Sequence, residues 1–401
     1  MQSANETDQV DTDVLIVGAG PTGLALAIRL VRAGVTPIVV DKLTSGQNTS
    51  RAAVIHAHTL EVLEQLGVSD RLLGEGLKLA RFSIRDRDRT LVRLRFDTLP
   101  TPYACLLMLP QDRTEQILRD ALAEARGTVC WGSTVERLRE TADGVEATVA
   151  TPSGQRTIRA RYVVGADGMR SLVREAAGIG FTGASYEESF VLADVDMDWS
   201  HGRDEVMLFF SPKGLVVVAP LPGGRSRIVA TLENAPERPT LADVQALLDA
   251  RGPTRGRATV SRVHWSTRFR LHHRVADRYR SGRLLLMGDA AHVHSPAGGQ
   301  GMNTGLVDAC VLGGLLADVV TGRRDQRMLD QYESLRRPAA KQVLGLAGRL
   351  THMATMKRAP QRLLRNMLLR IVNRLPAARR RLELGLSGLS RRSAAKIGGA
   401  A

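Results

Sequence analysis

Cysteine is scarce: Cys105, Cys130 and Cys310 are the only three in 401 residues, and no two form a C-x-x-C pair. That spacing excludes a disulfide framework and a cysteine zinc site, and it suits a reducing cytoplasm. Aromatic residues make up only 4% of the chain, and none falls between Lys357 and Ala401, so this most basic stretch has no rings to stack on bases. The longest apolar run, Val307 to Val320, is broken by Asp308 and Asp318 and falls short of the ~18 residues of a membrane span. Met1 to Asp13 is polar and acidic, with no basic region leading into an apolar one, so a signal peptide is not expected and the expected location is the cytoplasm. No metal is expected either, because the pairs His56/His58, His272/His273 and His292/His294 have no further ligand at metal spacing. A Ser-His-Asp hydrolase lacks its G-x-S-x-G elbow.

What is present is ordinary for a globular protein: 43% hydrophobic and 24% charged residues, in a chain long enough for about two or three domains. The net charge of +15 is not spread evenly. From Lys357 onward there are twelve Lys or Arg against one acid, Glu383, so +11 of the +15 lies there. Leu, Ile, Met and Val separate those arginines, which reads as one or more amphipathic helices. Two readings stay open for this segment: a helix laid on the protein body with solvated arginines, or peripheral contact with an anionic membrane or partner surface. Nucleic acid is not an expected partner.

Asp13 to Val17 reads as a buried strand, Leu24 to Arg32 as a helix and Thr36 to Val40 as a second strand, a βαβ opening. Thr59 to Leu66 is a helix stopped by Gly67. Apolar and charged residues alternate from Phe82 to Phe96, as a half-exposed antiparallel hairpin requires. Thr114 to Ala125 is helical, and Thr128 to Arg161 holds short strands around turns at Ala142-Asp143-Gly144 and Pro152-Ser153-Gly154. Strands dominate again from Ser189 to Arg270, interrupted by a helix at Leu241 to Ala250, and helix prevails after Arg283. The expected architecture is an α/β, Rossmann-like dinucleotide-binding domain, a β-sheet substrate domain and C-terminal helices. The first domain is discontinuous over 1–79, 106–182 and 271–345, the second covers 80–105 and 183–270, and a basic helical segment covers 346–401.

Three motifs carry the chemistry. In the first, Gly18-x-Gly20-x-x-Gly23 follows the opening strand; Gly18 permits a tight turn, Gly20 leaves room for a pyrophosphate, and Gly23 lets helix and strand pack closely. Asp41 ends the second strand 18 residues after Gly23, where an acid accepts ribose hydroxyls. Taken alone, this motif leaves NAD and FAD both open. The second motif runs from Leu284 to Ala309, a buried strand delivering Gly288-Asp289, then Gly298, Gly299 and Gly301 ahead of a helix. Uncovered amides there, with the helix dipole, suit the negative charge of a reduced flavin ring, which a nicotinamide enzyme does not need. The third runs from Tyr162 to Ile179, a strand leading into Asp167-Gly168 and a helix carrying Arg170, Ser171 and Arg174. By itself it is equally a capped strand-to-helix turn.

With these motifs in this order, the chain resembles the group A flavoprotein monooxygenases, the aromatic-ring hydroxylases of the para-hydroxybenzoate hydroxylase type. The resemblance runs from Val14 to about Pro338 and includes "SRAAVIHAHTLEVLEQLG", "LPQDRTEQILRDAL" and "FRLHHRVADRYRSGRLLLMGDAAH". It implies FAD as cofactor, NADPH or NADH as transient reductant, and O₂ transfer through a flavin C4a-hydroperoxide to an electron-rich aromatic or polycyclic molecule. Epoxidation, ring insertion or other redox work on the same fold is the alternative, and a membrane- or partner-binding protein with a structural flavin is a third. The cofactor-binding residues expected from motifs and resemblance together are Gly18, Gly20, Pro21, Thr22, Gly23, Asp41, Lys42, Arg51, Gln111, Val135, Asp167, Gly288, Asp289, Pro296, Gly299, Gln300, Gly301, Met302 and Asn303. Arg51 and Gln111 would approach the pyrophosphate and ribityl chain, Asp289 the ribityl hydroxyls, and the Pro296–Asn303 loop the flavin ring. Phe210, Val218 and Pro220 are expected to wall the substrate. No catalytic acid or base is named, because the cofactor carries the chemistry. The chain departs from the family at His58, where arginine is frequent, and the resemblance implies the compact branch, so a thioredoxin-like third domain like that of larger members is not expected.

Overall fold

The computed structural model describes residues 10–46, 52–232, 235–296, 298–356 and 358–397, apart from the side chains of 185–188, 270 and 271. Arg51, expected at the pyrophosphate, lies outside the described residues, as do Ala297 and Lys357.

Thr12–Val17 is apolar throughout because both its faces are covered, and Val14, Leu15 and Ile16 are fully buried. It sits mid-sheet, in the order Leu284–Leu286, Gly154–Gly165, Thr12–Val17, Ile38–Asp41, Cys130–Trp131, with every neighbouring pair parallel. The helices Pro21–Val31, Gln111–Glu124 and Gly301–Val320 share one apolar core with it. Gly301–Val320 is long and apolar enough to cross a membrane by composition, but 89% of its 18-residue apolar window is buried inside the protein. Thr134–Glu140 and Val145–Thr151 form an antiparallel meander whose third strand, Gly154–Gly165, runs on into the parallel sheet beside Thr12–Val17.

A second, eight-stranded sheet has the order His292–Val293, Thr259–Ala276, Phe181–Asp198, Ser226–Leu232, Gly214–Pro220, Glu205–Ser211, Arg81–Asp86, Arg89–Arg95. The hairpin read from Phe82 to Phe96 thus joins strands more than a hundred residues downstream, through the parallel pairing of Arg81–Asp86 with Glu205–Ser211. One face of this sheet is covered by the helix Leu241–Arg251, whose start is locked by a capping box between Thr240 and Asp243. The other face looks toward the parallel-sheet half.

The sheets override the boundaries drawn from sequence. Phe181–Asp198 and Thr259–Ala276 are each 18 residues long and pair on both sides of 182/183 and 270/271, with a bulge between Ser185 and Ser189, so paired strand, not linker, joins the two halves. The boundary at 345/346 falls inside the helix Asp330–Ala354, which continues through Pro338. A small sheet of Val54–Ile55, Leu106–Met108 and Leu77–Leu79 was not expected; strands of two or three residues are too short to show a period.

Beyond Ala354 the helices Ala359–Arg374 and Pro376–Leu386 lie along the hairpin. Arg93 N donates to Asn373 Oδ1 and Arg95 N to Glu383 Oε1, both at 2.9 Å. Side-chain acceptors therefore satisfy the edge strand that would otherwise be open to pairing.

Candidate active site

Gly18 takes φ +105°, and a Cβ there would lie 2.4 Å from Ala166 O. A Cβ on Gly23 would lie 1.9 Å from Gly18 O, whereas one on Gly20 would meet nothing within 4 Å. Gly18 and Gly23 are therefore fixed by packing, and Gly20 between them opens onto space. Pro21–Val31 starts without a side-chain cap, leaving first-turn amides for an anion. Asp41 is held rigidly: its Oδ2 accepts from Ala19 N at 2.7 Å and its Oδ1 from Leu43 N at 2.8 Å. A carboxylate has about four acceptor sites, so capacity for hydroxyls remains.

The third motif is a capped turn and more. Ser171 Oγ accepts from Arg174 N at 3.0 Å, while the Arg174 guanidinium donates to Met169 O at 2.8 Å and to Ala290 O at 2.9 Å. That cation ties the turn to the segment carrying Asp289. Burial raises the Asp167 carboxyl above its usual range, against hydrogen bonds from Ser171 and backbone amides.

In the second motif Gly301–Val320 also begins uncapped, at Gln300. Asn303 Oδ1 accepts from His56 N at 2.8 Å, and its Nδ2 donates to Val54 O and Gly299 O, each at 2.8 Å. Gln300 Nε2 donates to Leu386 O at 2.8 Å, and His56 Nε2 lies 2.9 Å from Gly298 O. Burial brings the His56 imidazole down to about 4. Behind the loop, Asp308 lies 2.6 Å from His292 Nε2 and accepts from Arg336 Nε at 2.7 Å. Burial opposes ionisation of Asp308, but the Arg336 and His292 charges outweigh it and hold the carboxyl below its usual range.

These three turns open into one cavity of about 1060 Å³ that continues onto the inner face of the eight-stranded sheet. Gly18, Gly20, Pro21, Thr22, Asp41, Lys42, Gln111, Val135, Asp167, Asp289, Pro296, Gly299, Gly301 and Met302 all line it. Gly23, Gly288, Gln300 and Asn303 do not reach its wall and stand behind it, supporting the loops. His58, the departure from the family pattern, is absent from the wall and lies 3.3 Å from Glu61. The residues present fit FAD: a glycine turn and acid at one end, an amide-rich loop at a helix start at the other.

The three substrate residues need correction. Val218 and Pro220 lie on the opposite parity of their strand, and Val218 is buried under Leu241–Arg251 with Val216 and Phe209. Phe210 is on the cavity side but fully buried, 4.4 Å from the Arg365 guanidinium, and does not reach the wall. Leu208, Val217 and Ala219 line the cavity instead, with Phe190 and Phe269 from neighbouring strands. Sequence alternation defines two faces without saying which one is inward. Arg227 was also missed. It lines the cavity, pairs with Asp194 through Nε and Nη2 at 2.7 and 2.8 Å, and donates to Ala52 O at 2.8 Å. Its signal in the sequence is a cation at the second position of an otherwise largely apolar strand, "SRIVATL".

A family model described as FAD binding domain matches residues 11–347. Among curated proteins, the chain is 37% identical to the 6-methylpretetramide 4-monooxygenase of Streptomyces rimosus over 94% of its own length and 69% of that protein's. It is 35% identical to the pentachlorophenol 4-monooxygenase of Sphingobium chlorophenolicum over 83% of its length and 63% of that protein's. Its fold superposes on the anhydrotetracycline hydroxylase of Streptomyces rimosus with a TM-score of 0.81 and 33% identity, covering 94% of this chain and 76% of the other. The p-nitrophenol 4-monooxygenase of Pseudomonas putida has the same fold, with a TM-score of 0.86 at 24% identity, over 96% of this chain and 98% of that one.

Proposed function

From the premise that the chain belongs to the FAD-binding domain family and is an FAD-dependent monooxygenase, we propose that it uses NAD(P)H and O₂ to hydroxylate a large, polycyclic, electron-rich aromatic molecule. The observation that carries this reading is the continuity of the cavity. It passes from the Gly18–Thr22 turn and Asp41, past the Gly298–Met302 loop, into a chamber walled by Phe190, Leu208, Val217, Ala219 and Phe269. Bound FAD supplies the two-electron chemistry and oxygen activation. The chain's own residues hold the adenosine end at Asp41, present the first-turn amides of the helix that starts at Gly301, and exclude water from an apolar chamber. The cofactor-binding role of the residues that line the wall is part of this proposal. A contribution of the basic C-terminal helices to peripheral contact with an anionic membrane surface is another, supported by the +11 charge concentrated after residue 356.

The test is turnover under ¹⁸O₂ with NADPH or NADH and a panel of polycyclic phenols and quinones. One labelled oxygen in the product is expected. Substrate-dependent consumption of the nicotinamide with no label in the product would overturn the reading.

A further inference from the structure

The end of the chain delivers a cation to the flavin loop. Arg391 sits in the turn Leu389–Ala395, and its guanidinium donates to Gln300 Oε1 at 2.9 Å and to Gly385 O at 3.1 Å. Gln300 stands at the start of Gly301–Val320, between the cavity-lining Gly299 and Gly301. The same side chain donates to Leu386 O at 2.8 Å, so residues 385–391 grip both ends of its amide. No carboxylate pairs with Arg391 among the described residues; both of its acceptors are neutral oxygens. The nearby Arg336 is different, since it pairs with Asp308. Burial, reinforced by Arg336, brings Arg391 down to about 10, the behaviour of a desolvated cation without a counter-ion. A half-buried charge held only by neutral oxygens is costly unless something offsets it.

What lies beside it is a surface arranged for an anion. The Gly298–Met302 loop presents amides at an uncapped helix start, whose dipole is positive. A flavin ring that accepts two electrons and one proton as hydride from NAD(P)H gains one negative charge; the oxidised ring is neutral. We propose that Arg391 is a positioning residue and fixed counter-charge, which acts through Gln300 on the flavin loop and favours the reduced, anionic ring over the oxidised one. The C-terminal segment would then do more than cover the hairpin: its last turn tunes the cofactor from beyond the matched family region, which ends at residue 347.

The test uses the full-length holoenzyme and two variants. Arg391→Gln keeps a donor to Gln300 and removes the charge; Arg391→Lys keeps the charge. The readouts are the midpoint potential of bound FAD by dye equilibration, the affinity of the apoprotein for oxidised FAD, and apoprotein melting. For Arg391→Gln, at least a tenfold loss of affinity for reduced relative to oxidised FAD is expected, read as a potential lower by ~30 mV or more. Oxidised-FAD affinity should stay within about threefold of the parent, apoprotein melting should not fall, and Arg391→Lys should restore most of the potential. An unchanged potential in Arg391→Gln overturns the proposal. So does a loss of oxidised-FAD affinity as large as that of the reduced form, or a Lys variant no better than Gln, since either outcome marks a purely structural contact. If Arg391→Gln does not fold, the proposal stands or falls on the Lys variant alone, whose potential must lie near the parent value.

Discussion

One methyl group at Gly23 separates a packing glycine from a merely frequent one. Its Cβ would sit 1.9 Å from Gly18 O, a backbone atom that cannot swing aside. Gly23→Ala should therefore push the helix Pro21–Val31 away from the turn and yield a colourless protein that takes up little FAD, read from the flavin absorbance of the purified protein. Gly20→Ala meets nothing within 4 Å and should fold normally, its defect confined to cofactor affinity. The buried histidines give the residue scale a pH signature. His56 and His294 are both lowered from 6.5 to about 4 by burial, so the unfolded chain binds their protons first. Their contribution to stability is complete above pH 6.5 and is lost as pH falls toward 4. Each can contribute at most ~1.4 kcal/mol per pH unit in that window. Melting temperature against pH should fall from 6.5 to 4, and His56→Gln should flatten that slope. A parent and variant with parallel profiles would disprove the assignment.

At the scale of elements, the strand Gly214–Pro220 has two working faces, and adjacent residues should report different things. Val218 is buried in the core under Leu241–Arg251, so Val218→Ala should cost ~2 kcal/mol of unfolding free energy and leave the substrate KM unchanged. Val217 faces the cavity, so Val217→Phe should raise the KM of a bulky substrate several-fold while denaturant midpoints stay near the parent value. The reverse pattern would mean that the inward face has been misassigned. This strand also shows why the site was legible only in part. The glycine turn, Asp41 and the Gly298–Met302 loop are spelled locally, because the roles proposed for them at phosphate, ribose and ring each call for particular residue types at fixed spacing. Parity is not local, because it depends on which face the long strands Phe181–Asp198 and Thr259–Ala276 turn inward after crossing between the halves. The Arg391–Gln300 contact spans 91 residues and has no motif at either end. The elements that run across the expected boundaries went unread for a related reason, since a strand or helix crossing a boundary leaves no Gly/Pro-rich linker to read.

At the scale of the whole molecule, the C-terminal helices have two faces with opposite demands. Inward, Leu369 is buried, Arg365 stacks on Phe210 and Asn366 donates to Asp86, which fixes Ala359–Arg374 to the sheet. Outward, Leu363 is 74% exposed, and Leu364, Met367, Leu368, Ile371 and Leu375 are also in solvent. Arg358, Arg370, Arg374 and Arg381 are exposed around this stripe, and no acid occurs from Lys357 to Leu382. An apolar stripe flanked within its own segment by cations and by no acid suits the boundary of an anionic bilayer, where leucines enter the acyl region and arginines reach headgroups. A second copy of the same face would bring like charges together, which argues against self-association. Replacing Leu363, Leu364, Met367 and Leu368 together by Gln should therefore reduce co-sedimentation with phosphatidylglycerol vesicles at least tenfold, leaving FAD content and turnover of a water-soluble substrate unchanged. Binding by the parent should weaken as salt rises, and vesicles of phosphatidylcholine alone should retain much less protein. Equal retention of parent and variant would rule out this face as the contact, and a parent dimer that the substitutions dissociate would assign it to self-association instead.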